Sequence, residues 1–391
     1  MKITIYILLL QFLIAPIKAQ KLSFLSVKNY PKISYAENAN SEKTYIVYNT
    51  RLFVLNEFDV AIIDLNTDEK RTHSLVKLLP KNLSSKISNE WGFYYYISNN
   101  KLFIKNFNNI FIFNITENDI QFSTSFIFPE KNKDNMYLRD TILFIYSIYN
   151  VSELLGDIPS GYTAIKLKDG SHESVSIPFK YLPLTHIGPN KFIDFNSKGY
   201  VVCDPFEYKL FFYDYKNKLI DSLQAPDSSF TASKDLKDFE ISFPKVQVSK
   251  DPGYYFEKLQ SFLQKTDRIW TINFMDDETI FTRITRNTLN SSGGKQEPFF
   301  VHIWKKIDNT WRLTQVKNTK EASLNAPEIN SSDLWPVFIP GSDILFNNGF
   351  LYYLFWGVKS NDFPQPADRF YGFKEPDRNK LFLKVIKFGV N

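Results

Sequence analysis

The chain contains Arg51-Leu52-Phe53-Val54-Leu55-Asn56, and the same pattern returns 50 residues later as Lys101-Leu102-Phe103-Ile104-Lys105-Asn106. At the same offset, Val60-Ala61-Ile62-Ile63-Asp64-Leu65 is followed by Ile110-Phe111-Ile112-Phe113-Asn114-Ile115. A repeat of roughly 20–50 residues is typical of solenoids, propellers and arrays, whose units cannot bury their apolar faces alone. The repeat therefore predicts an architecture, although it does not predict an activity.

The composition favours β-structure over helix. Of the 391 residues, 17% are aromatic, with 37 Phe and 22 Tyr, and only 14 are Gly. Phe, Tyr, Ile and Val suit the pleated, half-buried surface of a sheet. Turn residues interrupt the apolar runs about every ten positions, which is typical of an all-β chain.

Each copy of the repeat contains four predicted strands. In the first copy these strands are residues 45–48, 51–55, 60–64 and 71–75, and in the second they are residues 93–97, 101–105, 110–114 and 120–126. The middle strands are apolar on both faces, as in sheets that stack face to face. A four-stranded sheet of this kind is the blade of a β-propeller.

The same rhythm continues and predicts a β-propeller of six blades, with seven as the alternative. The third unit has predicted strands at 142–149, 162–167 and 173–177, and the fourth at 191–195, 199–203, 209–213 and 219–223. The fifth has strands at 268–274, 279–284, 299–304 and 311–316, and the sixth at 343–346, 350–357 and 381–388. A helix is predicted at 254–265, where apolar residues recur at helical spacing.

The sixth unit is one strand short, whereas residues 22–27 form a predicted strand that the first unit does not need. We expect this strand to complete the last blade, so that the N- and C-terminal strands close the ring. A ring closed in this way leaves no long free sheet edge. Residues 20–391 are accordingly interpreted as a single propeller domain.

The first 19 residues predict an export signal. Met1-Lys2 supplies a positive start, residues 3–14 are apolar, and small residues precede the predicted cleavage after Ala19. The apolar run is shorter than the roughly 20 residues of a membrane span. A retained amphipathic anchor is the alternative. No Cys follows the run, so we expect a periplasmic or extracellular monomer that is neither a lipoprotein nor a transmembrane protein.

Charge and cysteine content narrow the class of protein further. The 47 Lys and Arg against 42 Asp and Glu give a net charge of +5, and these charges are scattered. A nucleic-acid partner needs a basic stripe, so none is expected. Cys203 is the sole cysteine, which excludes an intrachain disulfide. Its apolar neighbours predict an inert thiol in a buried strand.

Motifs for metal binding or catalysis are absent from the sequence. The four histidines, His73, His172, His186 and His302, are too far apart for a local metal-ligand pair. His302 lies within an apolar strand and is interpreted as a core residue. Asp276-Asp277-Glu278 is interpreted as a solvated hairpin turn, with a calcium or catalytic site as the alternative. We therefore expect neither a metal nor a cofactor.

Propeller ligands bind over the central channel, where inner-strand ends and blade-joining loops meet. Aromatic side chains there supply contact area together with a polar group, which suits sugars and peptides. Packing or capping is the alternative role for every candidate. The ligand-binding candidates with this placement are Trp91, Arg139, His186, Asp194, Asn196, Asn273 and Trp335.

Three features carry a resemblance to a known family. They are the signal-bearing start before a short strand, the segment 268–274 followed by 279–283, and the C-terminal strand 381–388. Over nearly the whole mature chain these features resemble domain of unknown function family 4221, a family of exported propeller-like proteins common in Bacteroidetes. The family has no assigned activity, so the resemblance implies no functional residues. Many members are lipoproteins, whereas this chain lacks the cysteine that lipid attachment needs.

Two functions are compatible with these observations. The first is a non-catalytic binding or scaffold propeller whose partner is a glycan, a peptide or a protein. The alternative is a propeller enzyme, a hydrolase or lyase acting on sugars or lactones, with residues gathered at the channel mouth from several blades. An enzyme needs at least two converging titratable groups, or a metal cage, at that mouth.

Overall fold

The protein is a six-bladed β-propeller, as the sequence predicts. Its computed structural model describes residues 22–34, 43–88, 92–117, 119–128, 135–146, 161–177, 193–204, 207–225, 267–288, 295–297, 300–318, 344–347, 350–357 and 382–390. These residues form six antiparallel sheets, each with four strands in radial order. One sheet carries an additional short strand.

The strands follow one another through the blades in chain order. Blade 1 consists of β2 (Thr44–Tyr48), β3 (Arg51–Asn56), β4 (Asp59–Asp64) and β5 (Lys70–Ser74). A 3-10 turn (Leu75–Leu78) and the short helix α1 (Lys81–Ser84) follow it. Blade 2 consists of β6 (Phe93–Ser98), β7 (Lys101–Asn106), β8 (Asn109–Ile115) and β9 (Ile120–Ile127). Blade 3 consists of β10 (Asn135–Arg139), β11 (Ile142–Tyr146), β12 (Gly161–Lys166) and β13 (His172–Ser176).

The remaining blades repeat this plan. Blade 4 consists of β14 (Ile193–Phe195), β15 (Gly199–Asp204), β16 (Lys209–Asp214) and β17 (Leu219–Gln224). Blade 5 consists of β18 (Arg268–Asp276), β19 (Thr279–Thr288), β21 (Phe300–Ile307) and β22 (Thr310–Asn318), and β20 (Lys295–Glu297) pairs with β19. Blade 6 consists of β23 (Ile344–Asn347), β24 (Phe350–Gly357), β25 (Phe382–Val390) and β1 (Leu22–Ser34).

The two ends of the described chain share blade 6. The strand order in this sheet is β1-β25-β24-β23, and β1 occupies the outer edge. Leu22 lies opposite Val390, and Tyr30 lies opposite Leu383. The predicted closure of the ring by the N- and C-terminal strands is therefore confirmed.

Aromatic and aliphatic side chains fill the spaces between neighbouring blades. Between blades 1 and 2, the Phe58 ring meets Phe93 and Phe111 edge-on, at centroid distances of 5.5 and 5.2 Å. Between blades 3 and 4, the Phe195 ring packs against Phe144 at 5.2 Å. Such two-sided burial explains why the middle strands are apolar on both faces.

The sequence missed the inner strand of blade 3. Its predicted third unit began at residue 142, whereas β10 supplies the four-stranded sheet with an inner strand over Asn135–Arg139. This strand has only five residues, begins with Asn, ends with Arg and follows the polar segment 131–134. Its residues alternate between half-buried and buried positions, so the sequence lacks the continuous apolar run by which the other strands were predicted. The predicted helix at 254–265 lies outside the described residues.

The environment of Cys203 agrees with the expectation of an inert thiol. The residue is fully buried in β15, and burial raises the pKa of the thiol well above its usual value. Low reactivity follows, because the thiolate is the nucleophilic form. Among the helices of the described segments, none has the length and apolar character that crossing a bilayer requires.

Candidate functional site

The turns that follow the inner strands lie at one end of the propeller, here named the turn face. The inner strands occupy equivalent places in their sheets, so they all run towards this end. The described turns of the turn face are 49–50, 99–100, 140–141, 196–198 and 277–278. Turns between the third and fourth strands of each blade lie at the same end, because adjacent strands are antiparallel.

The inner strands are joined to one another by side-chain oxygens. The Tyr48 hydroxyl accepts a hydrogen bond from the Asn100 N–H at 2.9 Å, and the Tyr96 hydroxyl accepts one from the Leu138 N–H at 3.1 Å. Between blades 4 and 5, Asp194 Oδ2 accepts a bond from the Phe274 N–H at 2.6 Å. An inner strand is a sheet edge, so its outward N–H groups need partners beyond the sheet.

Arg139 lies at the end of β10, where it contacts blade 4. Its guanidinium carbon lies 4.5 Å from the centroid of the Tyr215 ring, and its Nε lies 3.9 Å from Asp140 Oδ2. The Arg139 side chain is 36% exposed, so a ligand at the turn face can reach it. The Tyr215 hydroxyl donates to the Asn196 carbonyl oxygen at 2.6 Å. Burial raises the pKa of Tyr215 although the Arg139 charge opposes this shift.

Asn196 shapes the turn between β14 and β15. Its Oδ1 accepts hydrogen bonds from the backbone N–H groups of Lys198 at 2.9 Å and Gly199 at 3.0 Å. A Cβ at Gly199 would lie 1.9 Å from the Tyr213 carbonyl oxygen, so only glycine fits there. The amide oxygen of Asn196 therefore caps the turn, which leaves its NH₂ group as the part suited to a ligand.

The acidic segment 276–278 forms the hairpin turn that the sequence predicts. Asp277 accepts hydrogen bonds from both the backbone N–H (3.0 Å) and the hydroxyl of Ser197 in the preceding blade. Glu278 lies 3.8 Å from the Lys198 ammonium group. These contacts tie the turns of blades 4 and 5 together at the turn face.

Four of the seven predicted ligand-binding residues are described. Arg139 and Asn196 come together around the Tyr215 ring. Asp194 reaches β18 at Phe274, beside the half-buried Asn273. Their role in ligand binding stays a prediction. Trp91, His186 and Trp335 lie outside the described residues.

Sequence reasoning overlooked the tyrosines of this region. Tyr96 and Tyr137 each occupy the third position before the turn that ends their strand, a placement visible in the sequence. The Tyr137 ring stacks on Phe195 with centroids 5.4 Å apart. Burial, reinforced by the nearby Asp194 charge, raises the pKa of both tyrosines. Their hydroxyls therefore stay protonated at neutral pH.

A cleft of about 250 Å³ opens at the turn face between blades 1 and 2. It extends outward from the end of β2 along the turns of blade 2. Aromatic, apolar, amide and charged groups line it together. The side chains that give it this character are Tyr48, Arg51, Phe53, Asn100, Ile115 and Glu117.

A polar cluster away from the turn face is structural. The Tyr208 hydroxyl contacts His302 Nδ1 at 3.1 Å, accepts from Trp304 Nε1 at 2.8 Å and bonds to the Thr282 hydroxyl. His302 is fully buried, which confirms the core role predicted for it. Within the described segments, no three His, Cys, Asp or Glu side chains are grouped so that they could hold a metal ion.

Comparisons with known proteins support the fold alone. No protein-family model matches the chain, and no curated protein matches its sequence. The chain is similar to a Bacteroides fragilis structure provisionally named as an exported protein, with 12% identity over 95% of this chain and 96% of that chain and a TM-score of 0.50. It is also similar to the Neurospora crassa Pan2 WD40 domain, with 7% identity over 96% of this chain and 97% of that chain and a TM-score of 0.41.

Proposed function

We propose that this protein is an exported, non-catalytic binding or scaffold propeller whose ligand lies over the channel at the turn face. The ligand classes are a glycan, a peptide or a partner protein. Export rests on the predicted signal at residues 1–19 and on the resemblance to an exported family. The binding role rests on the aromatic and amide groups that successive blades present at this face.

The observation that carries the proposal is that the turn-face carboxylates are engaged in hydrogen bonds to the backbone. Seven of them accept hydrogen bonds from backbone N–H groups, which makes them acceptors that organise turns and join blades. These seven are Asp64, Asp119, Asp169, Asp194, Asp214, Asp276 and Asp277. A carboxylate that accepts such bonds has its oxygens engaged with the backbone, whereas a general acid must present a proton to the substrate.

Hydrogen bonds lower the pKa of two of these carboxylates, Asp64 and Asp169. The backbone N–H groups of Thr67 and Asn66 lower the pKa of Asp64. The hydroxyl and the backbone N–H of Ser171 lower the pKa of Asp169. Both groups therefore remain ionised at neutral pH and suit hydrogen-bond acceptance rather than proton transfer.

Thermal unfolding in the presence of candidate ligands tests the proposal. We expect a glycan or peptide from a mixed panel to raise the melting temperature, because a ligand that prefers the folded state stabilises it. Arg139→Ala should reduce this shift, since it removes the exposed cation at the channel mouth. Arg71→Ala is the control, because Arg71 lies on the outer strand of blade 1, where its guanidinium group lies 3.8 Å from the exposed Glu69 carboxylate.

Two outcomes would contradict the proposal. One is a rise of several degrees in the melting temperature when divalent cations are added, with the same rise in the Arg139→Ala variant. The other is turnover of a glycoside or lactone by the purified protein. Either result would favour the enzyme alternative, in which residues from several blades converge on the channel mouth.

A further inference from the structure

We propose that the cleft between blades 1 and 2 is a carbohydrate subsite that holds one sugar ring. This inference rests on the proposed binding function and assigns a ligand class to one part of the turn face. Drug-sized ligands occupy pockets of roughly 300–1,000 Å³. A cleft of about 250 Å³ therefore suits a single ring rather than an extended chain.

The cleft is bridged at two points by contacts between the blades. Asn100 Oδ1 accepts from the Tyr48 hydroxyl at 3.2 Å and from Asn49 Nδ2 at 3.4 Å. Arg51 Nη1 donates to the Thr116 carbonyl oxygen at 3.1 Å. These bonds hold the ring, the amide and the guanidinium group before any ligand arrives, which lowers the entropic cost of binding.

The polar groups of the cleft offer both kinds of hydrogen bond. Because the Asn100 oxygen already accepts two bonds, its NH₂ group is the part that can donate to a ligand. The Arg51 guanidinium has five N–H donors, and the contact with Thr116 uses one. Glu117 is an exposed carboxylate and can only accept. A hydroxyl both donates and accepts, so a polyhydroxylated ligand matches this set.

The apolar part of the lining supports the same ligand class. Ile115 and the half-buried Tyr48 ring form the apolar part of the cleft surface, and Phe53 next to them is fully buried. A pyranose has an apolar C–H face and a polar rim, so it meets both surfaces at once. An isolated anion would meet the Glu117 charge, and an extended peptide needs an open strand edge or a long groove.

Comparison of the two copies of the 50-residue repeat shows which cleft residues are particular to blade 1. Blade 2 has Ser98 and Lys101 at the places equivalent to Tyr48 and Arg51. Lys101 Nζ donates to Asn114 Oδ1 within its own blade at 2.8 Å, whereas Arg51 reaches the neighbouring blade. The aromatic ring and the bridging cation thus belong to the first copy, and Lys101 provides a matched control position.

Titration with monosaccharides tests the assignment on the full chain. The probes are glucose, galactose, mannose, N-acetylglucosamine and glucuronic acid, with binding followed by ligand-observed NMR. We expect at least one probe to bind and Arg51→Ala to weaken its Kd about tenfold, as for the loss of hydrogen bonds to a charged group. Glu117→Gln, a surface change that leaves the fold intact, should weaken the Kd about threefold. Lys101→Ala should leave the Kd unchanged.

Each other result overturns the assignment in a distinguishable way. If Arg139→Ala abolishes sugar binding while Arg51→Ala and Glu117→Gln do not, the ligand lies at the channel mouth and the proposed function stands without this subsite. If only peptides bind and Arg51→Ala weakens them, the cleft is a site of another ligand class. If no sugar, peptide or protein binds, both the subsite and the proposed function are wrong.

Discussion

Tyr48, Tyr96 and Asp194 perform the same task on the inner strands of blades 1, 2 and 4. Each carries an oxygen that accepts a backbone N–H from the following blade. A backbone donor left without a partner in a partly buried site costs free energy comparable to a lost hydrogen bond. The side chains at the channel therefore stabilise the inner edges of the sheets as well as lining the mouth.

Replacement of Asp194 separates its acceptor role from its charge. We expect Asp194→Ala to lower the free energy of unfolding by about 1–3 kcal/mol, because the Phe274 N–H loses its partner in a partly buried site. Asp194→Asn keeps an oxygen at the same place and should lose less than half as much. Urea denaturation of both variants measures the difference. Equal losses would show that the charge, rather than the acceptor, stabilises the protein.

The sequence predicted where Asp194 lies but could not predict what it contacts. A position near an inner-strand end was sufficient to select it as a candidate. Its partner Phe274 lies 80 residues further along the chain, in another blade. The contacts of Asn196 were also not predictable, although they are local, because its hydrogen bonds with Lys198 and Gly199 depend on the backbone geometry of the turn. Pattern alone cannot distinguish such contacts from ligand binding.

At the scale of the elements, the tight hairpins determine how each inner strand passes to the next strand. Asn49 and Thr50 both have positive φ, at 47° and 61°, and so do Asn99 and Asn100, at 49° and 55°. Two-residue turns of this kind match the twist of the paired strands and favour Asn and Gly. Thr50 departs from this preference, because a β-branched residue is strained at positive φ.

Thr50→Asn should stabilise the protein. The change copies Asn100 of the second repeat into the same turn position, and Asn tolerates the left-handed conformation. We expect the free energy of unfolding to rise by about 0.5–1 kcal/mol, measured by urea denaturation. The backbone bond from Leu65 N–H to the Thr50 carbonyl oxygen does not involve the side chain and remains.

Thr141→Asn is the matched control for this change. Thr141 is the second residue of the equivalent turn in blade 3, and its carbonyl oxygen accepts from the Leu167 N–H in the same way. In that turn, however, positive φ belongs to Asp140, at 52°, and not to Thr141. We expect no gain there. If both variants gained stability, the cause would be the change from Thr to Asn itself and not the relief of backbone strain at Thr50.

Strands that are buried on both faces were predictable, and exposed or short ones were not. Residues 110–113 form a continuous apolar run, and the corresponding strand β8 has five buried residues at its start. β10 was missed because its five residues alternate between buried and half-buried positions. The periodic signal depends on burial, so it weakens wherever a strand borders the channel or a polar loop.

At the scale of the whole molecule, stability depends on closing the ring with β1. Nine residues of β1 are in register with β25, and Tyr30 packs in the same apolar cluster as Tyr45 and Leu383. A variant that begins at residue 35 would leave β25 as a free outer edge, which favours aggregation. We expect it to elute as aggregates in size-exclusion chromatography.

Two controls accompany this truncation. A variant that begins at residue 22 should elute as the full chain does, with an unchanged melting temperature, because β1 is complete. A synthetic peptide of residues 22–34, added during refolding, should restore the soluble monomer by occupying the outer place in blade 6. A monomeric, fully stable protein that begins at residue 35 would show that ring closure by β1 is dispensable.

The buried tyrosines predict how the whole propeller responds to alkaline pH. Burial is the main cause that raises the pKa of ten of them, and it raises the pKa of Tyr162 to about 12. The ten are Tyr30, Tyr45, Tyr96, Tyr137, Tyr162, Tyr200, Tyr208, Tyr213, Tyr215 and Tyr352. In the unfolded chain a tyrosine has a pKa of about 10.

The sign of the effect follows from the protons bound in each state. Below pH 10 both states keep the tyrosine protons, so this contribution to stability is complete. As pH rises above 10, the unfolded chain releases protons that the folded protein retains, and the free energy of unfolding falls. The contribution of Tyr162 is lost between pH 10 and about 12, where its folded form also ionises.

We therefore expect ionisation of the buried tyrosines to coincide with unfolding. Ultraviolet absorbance of tyrosinate and the circular dichroism of the sheets should change in a single transition above pH 10. Tyr162→Phe removes one such group, so its free energy of unfolding should fall less steeply, by up to about 1.4 kcal/mol per pH unit. Complete tyrosinate formation while the sheet signal persists would contradict this prediction, because it would mean that the interior between the blades admits the charged form.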